Sequence, residues 1–183
     1  MSLSFVNTAS KLGILGIMAR VTEFSPTFRP IWIWDLTDKV GWGLVNRRAD
    51  VQLVQLSINK LIPKFGLIDH RKKAGPGPLP GIGVYAPLAP LKVDGYMGNE
   101  TANAIKSYIT HKSITTDQAI DPVYPLLARL KGNPISPAAI MADAAVRKRT
   151  MFTLNSDHLA QYGRLLDDSE FPEPLRSEAK RKH

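Results

Sequence analysis

The chain has no cysteine. That excludes a disulfide scaffold, thiolate metal sites and a cysteine nucleophile. It also lacks any apolar run approaching the roughly 20 residues that a membrane-spanning helix requires, so no spanning helix is expected. The longest apolar run near the start, Leu12–Met18, has one lysine before it, Arg20 after it and no good small-residue cleavage site. It reads as a buried helix or strand rather than as a signal peptide. Location stays open: synthesis in the cytoplasm is compatible with export inside a particle or by a non-classical route.

The usual marks of catalysis are missing too. There is no G-x-x-x-x-G-K-[ST] cradle, and the glycines at 75, 77, 81 and 83 are interspersed with prolines at 76, 78 and 80, which remove amide donors an anion would need. No nucleophile-elbow pattern occurs. His70, His111, His158 and His183 have no second ligand at helical spacing, whereas zinc needs three or four convergent ligands. No metal and no cofactor are expected. Of the acids in ordered stretches, Glu23, Asp94, Glu100 and Asp121, no pair is marked out as acid and nucleophile. No catalytic residue is assigned, and an enzyme is the least favoured reading.

What is present is enough for one domain with a core, or for a small domain with extensions: 183 residues, of which 44% are hydrophobic. Lysine and arginine number 24 against 16 acids, a net charge of +8. A basic surface favours anionic partners such as wall polymers, acidic peptides or nucleic acid. Nucleic acid is compatible with the charge but not favoured, because the positive clusters are scattered: Arg47-Arg48, His70–Lys73, Arg147–Arg149 and Lys180–Lys182.

The most informative stretch is Leu91–Ile109. Asp94-Gly95 is a turn dipeptide, and Gly98 is a second point where the backbone can bend or be approached closely. Thr101, Ala104, Ile105 and Tyr108 recur at i, i+3, i+4 and i+7, one face of a helix. Glu100 lies in its first turn, where a negative charge suits the helix dipole. A second helix is expected upstream, with Asp50 as its N-cap, Val51, Val54, Ile58 and Leu61 on its apolar face, and Pro63 as its stop.

These two stretches resemble the peptidoglycan-binding-like modules of cell-wall hydrolases. The first helix of that family reads D-V-x-x-[LV]-Q-x-x-L-N, matched by Asp50-Val51, Val54-Gln55 and Ile58-Asn59. The second motif, D-G-x-x-G-x-x-T-x-x-A-[IV]-x-x-[FY], is matched by Asp94, Gly95, Gly98, Thr101, Ala104-Ile105 and Tyr108. Gly41, Gly43 and Asn46 resemble the family's glycine-rich lead-in. The resemblance implies a mainly α protein centred on a three-helix module, with an N-terminal arm, a long Pro/Gly insertion and C-terminal helices. The divisions expected are an arm over 1–40, the module over 41–131 with its insertion at 63–90, a helical extension over 132–168 and a basic tail over 169–183.

The same resemblance implies non-catalytic binding of peptidoglycan or a wall-linked polymer beside the 94–98 loop. Tyr96, Asn99, Asn103 and Lys106 are the expected exposed contacts, with Arg47 and Arg48 available for carboxylates or phosphates. Asp50, Gln55, Asp94, Gly95, Gly98 and Thr101 are expected to define the fold. A second reading is an adaptor or structural part of a phage particle or contractile injection assembly, docked to protein partners through its extensions.

Along the remaining chain, helices are expected within residues 1–20, from Ser136-Pro137 through Met151, and from a cap at Asp157 through Leu166. Ile31–Trp34 alternates like a strand. Trp32, Trp34 and Trp42 form either a stacking platform or, the favoured reading, anchors that dock the arm. His70–Pro90, rich in proline and glycine, is expected to be polyproline II or unstructured. Residues 171–183 look like a tail with no core of their own. No internal repeat is visible.

Overall fold

A computed structural model describes residues 20–24, 31–76, 83–114, 118–123, 150–173 and 175–180. In chain order these form β1 (Arg20–Phe24), β2 (Ile31–Asp35), β3 (Val40–Gly41), α1 (Arg48–Phe65), β4 (Ile68–Pro76), β5 (Gly83–Pro87), α2 (Asn99–His111), β6 (Ala119–Ile120) and α3 (Thr150–Tyr162). A 3-10 turn at Asp168–Glu170 and a short α4 (Leu175–Lys180) follow. The helices expected within 1–20 and before Thr150 in the 136–151 stretch lie outside the described residues, as does the glycine–proline run at 77–82.

Helix α1 is the centre of the packing. Val51, Val54, Ile58 and Leu61 are fully buried, and so is Leu53. Gln52, Gln55 and Ser57 are buried as well, so the helix is covered on more than its apolar stripe. Helices α2, α3 and α4 and strand β3 all pack against it. Asp50 is not its N-cap. The helix opens at Arg48 behind an extended Arg47, and the Asp50 carboxylate, inside the first turn, accepts the amides of Thr37 and Asp38 at 3.1–3.2 Å. Nor does Pro63 stop it. The helix forgoes one backbone bond there and runs to Phe65, where Gly66 takes a left-handed conformation (φ 58°) and closes onto the Ile62 carbonyl.

Helix α2 buries the face its sequence marks: Thr101, Ala104, Ile105 and Tyr108. Tyr108 is fully buried, and its hydroxyl donates to Asp157 Oδ2 of α3 at 2.6 Å. Lys112 donates to the other carboxylate oxygen at 2.7 Å. Burial, and secondly the charge of Asp157, hold the Tyr108 hydroxyl far above the usual phenol range, so it remains a donor. Asp157 therefore lies inside α3 rather than at its start. The helix ends at Tyr162 because Gly163 turns left-handed (φ 68°) and bonds back to the Leu159 carbonyl.

The expectation of a mainly α three-helix module is overturned. The described residues hold four α-helices together with three two-stranded antiparallel sheets, β1–β2, β3–β6 and β4–β5. The chief difference falls at 70–90, expected to be polyproline II or unstructured. Ile68 to Pro76 pairs with Gly83 to Pro87, from Ile68 opposite Pro87 to Pro76 opposite Gly83. The prolines at 76 and 87 stand at strand ends, where the missing amide costs the ladder least.

The strand expected at Ile31–Trp34 is present as β2, paired to β1 from Arg20↔Asp35 to Phe24↔Ile31. Trp34 docks: its indole N–H donates to the Leu166 carbonyl at 2.9 Å, and its ring meets Phe171 edge-on at 4.6 Å. Asn155 of α3 bridges the Trp34 backbone, accepting from its amide at 3.1 Å and donating to its carbonyl at 2.8 Å. Phe171 and Leu175 are fully buried in the same cluster as α1 and α2, so the segment read as a tail contributes to the core. Among the described residues no helix is long and apolar enough to cross a membrane.

Candidate binding surface around the 94–98 loop

Three amides on α1, Gln52, Gln55 and Asn59, recur at intervals of three and four. Each closes on a different backbone segment. Gln52 donates to the Glu173 carbonyl at 3.0 Å and accepts from the Leu175 amide at 3.3 Å, which fixes the entry to α4. Asn59 accepts from the Leu91 amide at 2.6 Å and donates to its carbonyl at 2.8 Å, a two-bond pairing like a rung of a sheet.

Gln55 organises the loop itself. Its Oε1 accepts the Gly95 amide at 2.9 Å. Its Nε2 lies within bonding distance of Thr101 Oγ1 (3.0 Å), the Tyr96 carbonyl (3.1 Å) and Asp94 Oδ1 (3.3 Å). Asp94 Oδ1 also accepts the Tyr96 amide at 3.0 Å, an Asx turn. That amide, more than Gln55 or Lys92, keeps the Asp94 carboxyl below the usual range against the opposing effect of burial. Gly95 is needed on two counts. Its φ is +79°, and a Cβ there would lie 2.3 Å from Arg48 Cγ and 2.6 Å from the Arg48 carbonyl.

Because the loop is held through its backbone, the Tyr96 ring points out of the fold and is 65% exposed. The Arg48 guanidinium stands 5.3 Å from the ring centroid, within cation–π range. Its Nε donates to the Asp94 carbonyl at 3.0 Å. Asn99 and Lys106 are exposed on α2. Arg47 spends its Nε on Asp38 at 2.6 Å. Asn103, expected as an exposed contact, is buried and donates to Asp69 Oδ1 at 3.0 Å. It holds β4 onto α2, so it is withdrawn from the surface.

A second loop borders the same end of α1. Asn46 accepts the Gly41 amide at 2.9 Å and donates to the carbonyls of Gly41 and Leu44 at 2.9 and 2.7 Å. This bracing turns Trp42 and Val45 outward, 63% and 87% exposed. Of the three tryptophans, Trp34 is therefore an anchor and Trp42 is displayed. Val45 was not among the expected contact residues, and Trp42 entered only in the less favoured stacking-platform reading. The signal for them is the short glycine-bracketed loop with an Asn three residues beyond Gly43.

Asp69, Asp94, Glu100 and Glu170 are each held in the charged form by their neighbours. Asp69 is brought to about 2, chiefly by its hydrogen bond from Arg71, with burial opposing. Glu100 is held low by Arg71 first, and Glu170 by Lys60 first. Among the described residues no group of three or more histidine or acidic side chains is placed to hold a metal ion. His158 is buried on Ser57, while His70 and His111 line a small cleft at the far end of α2.

No family model matches this chain, and neither a curated protein nor a solved structure matches it.

Proposed function

We propose that this chain is a non-catalytic binding protein that takes bacterial cell-wall peptidoglycan or a wall-linked polymer on the surface formed by Trp42, Arg48, Tyr96 and Asn99. One observation carries the reading: the Tyr96 ring is displayed by a loop whose backbone is tied to Gln55, with Arg48 beside it. A fixed, exposed ring costs little entropy on binding and offers an apolar face to a sugar, with a polar tip still in water. Asn99 and Arg48 supply hydrogen bonds at its edge. Asp94 and Glu100 are held ionised, so neither fits the protonated acid that a glycosidase needs.

The test is retention of the purified chain on isolated sacculi. Wild type is expected to sediment with them, and Tyr96→Ala to lose at least tenfold in apparent affinity while unfolding at the same temperature. Equal retention of both proteins, or none of either, overturns the reading.

A second reading has one observation in its favour. Val45, Trp42 and Leu44 are exposed together on a braced loop, and apolar side chains in that position suit a protein partner. The chain would then be an adaptor in a larger particle or injection assembly. Trp42→Ser and Val45→Ser would abolish a stoichiometric protein complex under this reading and leave sacculus retention unaltered.

A further inference from the structure

We propose that the β4–β5 hairpin adds a cationic rail to this surface and selects a phosphodiester-linked wall polymer. The inference rests on the wall-binding reading and names its ligand class.

Strand β4 runs antiparallel along α2. The Ile68 amide donates to Ser107 Oγ at 3.1 Å, Asn103 donates to Asp69 at 3.0 Å, and Arg71 donates to Glu100 Oε2 at 2.9 Å. Rising numbers on β4 thus meet falling numbers on α2. The next residues, Lys72 and Lys73, are carried toward the Gly98–Asn99 end, where Tyr96 is displayed. Between Asp69 and Lys73 the pairing with β5 is irregular. That bulge lets Arg71 fold back onto Asp69 at 3.0 Å and leaves Lys72 and Lys73 exposed.

The type of cation left over decides the ligand. Arg47 is engaged by Asp38, and Arg71 by Asp69 and Glu100. These forks match planar carboxylates, and two of them are occupied inside the protein. Arg48 is exposed, but it lies over the Tyr96 ring with its Nε on the Asp94 carbonyl; apart from the paired Arg71, the other exposed cations of β4, α2 and the 92–98 segment are lysines. Lys73 and Lys106 make no ion pair with a described residue, and Lys72 and Lys92 stand at 3.7 and 3.8 Å from their acids. Ammonium groups are compact point charges without a preferred plane. A row of them suits a flexible chain of repeated phosphates better than the spaced carboxylates of stem peptides. Neutralising such a chain releases its counterions, so binding should weaken steeply with salt.

The experiment compares sacculi that keep their phosphodiester polymer with the same sacculi stripped of it by hydrofluoric acid. The full-length chain and its Lys73→Glu/Lys106→Glu variant, at two exposed lysines that make no ion pair with a described residue, are measured at several salt concentrations, with duplex DNA as a third ligand. The wild type is expected to bind intact sacculi at least tenfold more tightly than stripped ones. The variant is expected to lose most of that difference and to show a flatter salt dependence, with its melting temperature unchanged. Equal binding of wild type to intact and stripped sacculi overturns the polymer assignment and leaves the wall reading in place. So does a variant that retains full preference. Failure on both preparations removes both readings. Duplex DNA bound as tightly as intact sacculi, and lost in the variant, overturns the assignment in favour of a nucleic acid.

Discussion

Gln55 accepts the amide of Gly95 at 2.9 Å, joining the middle of α1 to the tightest point of the loop that displays Tyr96. The same side chain donates toward the Tyr96 carbonyl and Thr101 Oγ1. Both partners of the Gly95 bond are buried. Leaving a buried donor or acceptor without a partner costs about 1–3 kcal/mol. Gln55→Ala should therefore destabilise the chain by about 2–4 kcal/mol in urea unfolding. Gln55→Glu should do no better, since it keeps the acceptor for Gly95 but turns a second carboxylate oxygen toward the Tyr96 carbonyl and Asp94 Oδ1. An alanine variant as stable as wild type would mean that the loop is held by something else.

Gly95 and Gly43 give a matched pair. Both have positive φ, +79° and +73°. A Cβ at 43 meets nothing within 4 Å, whereas at 95 it strikes the Arg48 backbone and side chain. Gly43→Ala should cost about 1 kcal/mol, the left-handed penalty alone. Gly95→Ala should cost at least about 2 kcal/mol more, because α1 and the loop must separate. Equal unfolding midpoints for the two variants would contradict the close approach.

The link between α2 and α3 depends on Asp157. Tyr108→Phe removes one hydrogen bond but leaves Asp157 paired to Lys112, and should cost about 1–2 kcal/mol. Asp157→Ala strands a fully buried hydroxyl and releases a lysine, and should cost about 3 kcal/mol or more. In a double-mutant cycle the two should couple, since they share one contact. Additive losses would show that the bond contributes nothing of its own.

His158 sets an acid limit. It is buried, with Nε2 at 3.1 Å from the Ser57 carbonyl. Burial lowers its pKa below the ordinary 6.5, outweighing the Ser57 carbonyl and Asp157, which raise it; Lys60 nearby lowers it further and Glu170 raises it. Folding therefore favours the neutral ring. Its contribution is complete above the unfolded pKa and is lost as pH falls below about 6.5 through the folded value. Stability should decline as pH falls below about 6.5, and His158→Gln should flatten that decline. An unchanged slope in the variant would place the acid sensitivity elsewhere.

Much of α2 was legible because its signal is local: Thr101, Ala104, Ile105 and Tyr108 repeat at helical spacing and are all buried. The Asp94-Gly95 turn was legible for the same reason. Asp50 misled, because an acid near a helix start reads as a cap, and only the distant Thr37 and Asp38 amides show its other use. The hairpin at 68–87 was hidden by its own composition, since strand pairing is non-local and prolines at strand ends look like breakers. Asn103 looked exposed because its partner, Asp69, belongs to that hairpin. Gln52, Gln55 and Asn59 did leave a trace: amides repeating at three and four on a helix with apolar residues on both flanks point inward.

The most direct test of the central claim is a heteronuclear NMR titration of the full chain with soluble glycan fragments released from sacculi. The largest shifts are expected at the amides of Asp94–Asn99 and at the Arg48 and Trp42 side chains, saturating together and absent in Tyr96→Ala. Saturable shifts confined to another face, or no shifts at any fragment concentration, would contradict that claim.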